Sequence, residues 1–164
     1  MSEKRKFIGL CGGLSPIGRQ DNSEAVALLE AEFGYYRTSS LDSIFRFSKA
    51  LGLLKEGMSE EEKIIIANKT CISGRTADEN IWVNMALKNT PSDKTHILLD
   101  DIHFPEEAGI IHKFGGTIFE LNIHGRTFVK PTFQPDVLLF GQTLKEVLDS
   151  FRSSLNNLRK SNAI

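Results

Sequence analysis

The chain of 164 residues lacks any run of about 18 apolar residues, so no segment has the length of a membrane-spanning helix. It has little cysteine. Cys11 and Cys71 stand far apart without metal-type spacing, which excludes a disulfide scaffold and predicts two free thiols. It also lacks an excess of either charge: 20 Lys+Arg against 21 Asp+Glu leave a formal net charge of −1. A surface devoted to nucleic acid is therefore not expected. Internal repeats, low-complexity tracts and Pro/Gly/Ser-rich linkers are missing too, so a single domain over residues 1–164 is expected. The opening MSEKRKFIGLCGG is basic, but Gly12 and Gly13 cut its apolar stretch short of a signal-peptide core, and a cytoplasmic location is expected. His96, His103, His112 and His124 show no metal-ligand spacing.

What is present is globular, with 40% hydrophobic and 25% charged residues, a balance that excludes a mostly disordered chain. Short apolar runs alternate with segments of helical period, the pattern of an α/β protein with a parallel sheet. Lys6–Cys11 reads as a buried strand, and a helix follows from about Asn22 until Gly34 stops it. Tyr35–Thr38 reads as a short strand, and Ser40-Leu41-Asp42 opens a second helix. Ser59-Glu60-Glu61-Glu62 is a helix start by capping and by charge at the positive end of the helix dipole. Cys71–Asp78 reads as polar and turn-rich, followed by a helix over Glu79–Lys88 carrying Trp82. His96–Leu99, Thr117–Leu121 and Asp136–Phe140 read as strands, with a short helix from Pro105 ended by Gly115-Gly116. Leu144, Val147, Leu148, Phe151, Leu155 and Leu158 form the clearest helical stripe.

Three segments carry candidate chemistry. Gly13-Leu-Ser-Pro-Ile-Gly18-Arg19-Gln20 has the length of the phosphate-cradling loop G-x-x-x-x-G-K-[ST], between a strand and a helix. Arg19 stands where the lysine reaches the phosphates, and Gln20 where a hydroxyl ligates Mg²⁺. Either a phosphate site survives there or the segment is only a tight strand-to-helix connection. Asp100 and Asp101 end an apolar strand, where open α/β sheets bind ligands, although such pairs also serve as turn or cap residues. Arg75, in a polar stretch before Trp82, can clamp a phosphate or a nucleobase, or lie in a solvated loop with Trp82 in the core.

These pieces occur in one order, and in that order the chain resembles the deoxynucleoside monophosphate kinases of bacteriophages, a branch of the P-loop nucleotide kinases. The resemblance runs from Gly13–Gln20 through Gly34-Tyr35-Tyr36 and the Trp82 segment Gly74–Leu87. It continues in the block Asp101-Ile-His-Phe-Pro-Glu-Glu-Ala108, then Gly115-Gly116-Thr-Ile118, and closes with Asp136–Phe140 and Thr143–Leu148. It implies a single-domain, three-layer kinase-like fold with a five-stranded parallel sheet, Lys6–Cys11 central and His96–Leu99 beside it. It also implies a phage origin and residence in the host cytoplasm.

The departures fall on chemistry. Arg19 and Gln20 replace the loop's lysine and its hydroxyl or acid, and His103 and Glu106 replace an arginine and an asparagine of the block. Phe140-Gly141-Gln142 replaces an Asn-Asp-Gly-like turn, and the substrate arm and lid look trimmed. By the resemblance, Gly13, Gly18, Arg19 and Gln20 would bind the nucleotide. Arg19 and Asp101 would be catalytic, with Asp101 on Mg²⁺, and Asp42, Arg75 and His103 would hold the substrate. The expectation is a degenerate enzyme, with ATP and Mg²⁺ as cofactors if it is active at all. The alternative is a pseudokinase: a module binding a nucleotide or other phosphate ligand, or a structural part of a viral assembly, with a protein partner or a second copy.

Overall fold

The computed structural model describes residues 5–11, 22–126, 130–161 and 164. In chain order the elements are β1 (Lys6–Cys11), α1 (Ser23–Phe33), β2 (Tyr36–Thr38), α2 (Ser40–Ala50), α3 (Glu60–Ala77) and α4 (Ile81–Asn89). Then come β3 (His96–Leu99), α5 (Pro105–Lys113), β4 (Thr117–Ile123), β5 (Val137–Gly141) and α6 (Leu144–Lys160). The fold is α/β, with one five-stranded parallel sheet in the order β2-β3-β1-β4-β5. Two compact units partition the contacts: Met1–Arg37 with Ser92–Ile164, and Thr38–Pro91.

In the first unit β1 is central, as expected. Gly9 is in register with Leu99 of β3 on one side and Ile118 of β4 on the other. Successive side chains point to opposite faces, so each face builds its own layer. Ile8, Leu10, Leu98, Phe119 and Leu121 share a core with α1 (Ala25, Leu29) and α6 (Val147, Phe151, Leu155). Phe119 meets Phe151 edge-on at 5.0 Å between ring centroids. The predicted stripe of α6 is thus a core face, and the paired bonds from Arg152 to the Glu32 carboxylate, each 2.8 Å, tie α6 to α1. On the opposite face α5 packs on β1 and β4. The approach is close: a Cβ on Gly116 would lie 2.7 Å from the Phe7 carbonyl oxygen and 2.7 Å from Ile111.

Element ends differ from expectation where side chains are engaged elsewhere. The last strand begins at Val137 because Asp136 is a clasp, its Oδ2 accepting from the Ile118 N–H at 2.7 Å and meeting His112 Nε2 at 2.9 Å. β4 runs on to Ile123, past the expected Leu121. Cys11 and Cys71 are buried and are not joined in a disulfide.

The helical unit carries the main correction. Cys71–Asp78 is not a turn-rich loop; α3 runs unbroken from Glu60 to Ala77. Its start is the expected capping box of Ser59 and Glu62. Its carboxyl half has weak intrinsic helicity but is held by packing, which overrides propensity. Ala67, Thr70 and Cys71 are buried, Ser48 Oγ of α2 donates to Thr70 Oγ1 at 2.9 Å, and Trp82 Nε1 donates to the Cys71 carbonyl at 3.1 Å. Gly74 makes room for that ring, since a Cβ there would lie 2.3 Å from Trp82. The expected helix over Glu79–Lys88 is shifted to Ile81–Asn89, because Asp78 accepts from the N–H groups of Asn80 and Ile81 and closes a turn first.

Two helical glycines therefore respond oppositely to alanine. Gly74→Ala destabilises the chain by about 1–3 kcal/mol through overpacking on Trp82. Gly109→Ala in α5, where a Cβ would meet nothing within 4 Å, stabilises by up to about 1 kcal/mol. Chemical denaturation of the two variants checks the opposite signs.

Candidate functional site

The carboxyl ends of β1, β3 and β4 gather the buried polar groups of the first unit. β3 ends at Leu99 and delivers Asp100 and Asp101, as the apolar run predicted. Arg37 of β2 donates from Nε to Asp100 Oδ2, placing a guanidinium against the first of the pair. Asp101 is buried, and the next residue continues the β1 contact, with the Ile102 N–H donating to the Leu10 carbonyl at 3.0 Å.

The turn into α5 is held from below by a buried carboxylate. Glu107 Oε2 accepts from the N–H groups of His103 and Phe104 at 2.9 and 3.2 Å, satisfying donors that a helix start would leave orphaned. His103 itself is only 6% exposed, and its Nδ1 has no hydrogen-bond partner among the described residues. Burial pushes the imidazole below its ordinary pKa, and the Asp101 charge pulls the other way. The position where the resemblance implies an arginine therefore carries a neutral ring at pH 7.

The β4–β5 connection closes over the same end. Thr132 Oγ1 donates to the His103 carbonyl at 3.2 Å. Behind it lies an open cleft of about 710 Å³ between this connection and strands β4 and β5. Glu120 and Asn122, both buried, line it together with Lys130, Phe133 and Leu138. Glu120 also lies in register with Cys11. Burial first, then the charges of Glu120 and Asp136, push the Cys11 thiol far up, so it is a protonated core group and no nucleophile.

Of the residues singled out from the sequence, Asp101 and His103 come together at this end of the sheet. Gly13, Gly18, Arg19 and Gln20 lie outside the described residues. Asp42 and Arg75 belong to the helical unit. The Asp42 N–H donates to Ser39 Oγ at 3.1 Å in the first turn of α2. Arg75 is in the last turn of α3, not in a loop, and its Nη1 donates to the Glu79 carbonyl at 3.0 Å across the turn to α4. Sequence reasoning missed Arg37, Glu107, Glu120 and Asn122. A signal existed for the last pair: a charge and an amide two residues apart interrupt the apolar strand TIFELNI on one face.

No protein-family model matches the chain, and no curated protein matches it. Among solved structures, the chain is similar to the crystal structure of a "putative kinase" from Chloroflexus aurantiacus J-10-fl. The two share 10% identity and a TM-score of 0.48, over 94% of this chain and 98% of that one. A likeness that distant leaves the site to be read from its own geometry. Among the described residues, no helix is long and apolar enough to cross a membrane.

The buried His103 predicts an acid-sensitive fold. Its pKa is lower folded than unfolded, so the stability it contributes is present above about pH 6.5 and is lost as pH falls through the folded value. In His103→Gln this part of the pH dependence disappears. Denaturation midpoints measured from pH 7.5 down to 5 check it.

Proposed function

We propose that the chain is a nucleotide-kinase-like module that binds a nucleotide or another phosphate ligand, with phosphoryl transfer weak or lost. One observation carries the reading: β3 delivers Asp100 and Asp101 beside the end of β1, from which residues 12–21 lead to α1 with the spacing of a phosphate loop. Phosphoryl transfer depends almost wholly on positioning and on neutralising charge. The neutral, buried His103 offers no cation for that task, and Arg19 and Gln20 alter both chemical positions of the loop. These departures support binding over turnover.

In the fully active form of this reading, ATP is the donor and a deoxynucleoside monophosphate the acceptor. Arg19 replaces the lysine, and Asp42 and Arg75 hold the acceptor. Asp101 is the residue that would hold Mg²⁺, which neutralises phosphate charge when bound. No group of three or more His, Cys, Asp or Glu among the described residues could hold a metal, so phosphate oxygens and water would complete its shell.

Thermal unfolding with ATP, ADP and a set of deoxynucleoside monophosphates, with and without Mg²⁺, tests the reading. A ligand of the folded state adds about 2.7 kcal/mol at a hundredfold excess over its Kd. If none of them raises the midpoint, the proposal is wrong. Arg19→Lys with Gln20→Ser then separates the two forms. A latent enzyme gains roughly 10²–10³ in ATP turnover, whereas unchanged turnover with retained binding leaves a non-catalytic module. His103→Arg has no place in this rescue, because a guanidinium would have to enter a site where the imidazole is 6% exposed.

A further inference from the structure

The sheet has two edge strands, and they differ. β2 is three residues long with Arg37 at its middle, engaged with Asp100, and a short, charged strand blunts an edge. β5 is five residues long, Val137–Gly141, and pairs with β4 alone. None of the five is charged and none is proline. The ladder to β4 fixes which backbone groups face outward. The His124 N–H donates to the Gly141 carbonyl at 2.9 Å, so Gly141 turns its backbone toward β4. Backbone groups alternate in direction along a strand, so Leu139 and Val137 turn the same way. Leu138 and Phe140 then aim their N–H and C=O groups at the open edge. Their side chains share one face and are 60% and 61% exposed, so the strip is apolar as well as unpaired.

The geometry points to β5 as the seam of a symmetric dimer, in which a second copy of this chain lays its own β5 antiparallel to the first. A two-fold axis through Leu139 sets Leu138 opposite the partner's Phe140, and Phe140 opposite the partner's Leu138. Opposed residues whose backbone groups face each other exchange both N–H···O bonds, so these two pairs make four. Each pair also lays an aromatic ring against an aliphatic side chain, a favourable cross-strand combination. Charge agrees with this register. Asp136 comes opposite the partner's Gln142, and the two aspartates stand at opposite ends of the seam. An axis through Leu138 would instead set Phe140 against the partner's Asp136. The strip thus complements itself in donors, acceptors, side chains and charge, which is what an isologous contact requires and what an unrelated peptide would have to match by its own sequence. The blunted β2 offers no second edge to continue the assembly, so it closes at two chains. Five residues a side fall below the area of a stable obligate interface, which makes the dimer weak and concentration-dependent. This contact goes beyond the phosphate reading, which does not use β5.

Sedimentation velocity of the full chain from about 10 μM to about 1 mM makes the test, a range suited to a weak contact. The mass is expected to rise from one chain to two and to stop there. Leu138→Lys and Phe140→Lys, at side chains already exposed, are expected to keep the fold by circular dichroism and to remain monomeric throughout. Hydrogen exchange reads the seam itself. The Leu138 and Phe140 amides are expected to exchange about tenfold more slowly where roughly nine chains in ten are paired, while the Leu139 amide, already in the β4 ladder, changes less. A chain that stays monomeric at the highest concentration overturns the proposal. So does a dimer that survives in a folded Leu138→Lys, a dimer that leaves Leu138 and Phe140 exchange unaltered, or growth beyond two chains. If Leu138→Lys does not fold, Phe140→Lys and the exchange comparison decide in its place.

Discussion

β1 pairs in parallel with β3 on one edge and β4 on the other, and it is covered on both faces. Parallel strands in such a position must be apolar throughout, and Phe7 to Cys11 are buried without exception. The packing leaves no room for side chains where α5 returns to the sheet, which is why Gly9 and Gly116 lie against Ile111. Because the neighbouring strands run the same way, their carboxyl ends collect at one end of the sheet.

That end is where the buried polar groups of the first unit concentrate. Asp101, His103, Glu107, Glu120 and Asn122 are each less than a tenth exposed. Burying so many polar groups is unfavourable unless each has a partner or a ligand. Glu107 is consumed by the turn it caps, and Asp100 meets Arg37. His103 and Asn122 each keep a ring or amide atom without a partner among the described residues. The connection from β4 to β5 thus joins the acidic end of β3 to the cleft beside β5.

Parts of this site were legible beforehand. Asp100 and Asp101 follow an apolar run, and a strand must expose its end, so their placement followed from pattern alone. The Arg75 loop was misread because the polar stretch from Cys71 onward has poor helix formers, and only Trp82 packed over Gly74 explains why it stays helical. Glu120 and Asn122 went unread because period-two alternation shows that they share a face without showing what covers it. Arg37 sits 63 positions from Asp100, a separation that no local pattern bridges.

The order of strands and helices, the central place of Lys6–Cys11, the core stripe of α6 and the capped start of α3 were all determined by the sequence. Each depends on interactions within a turn or two of chain, or on the burial of an apolar run. Tertiary structure alone decided that His103 is a buried neutral ring, that Arg75 ends a helix, and that a cleft opens beside β5. These depend on which distant segments meet, and so on how far each polar group is removed from water. Desolvation is a property of the assembled surroundings, not of the residue.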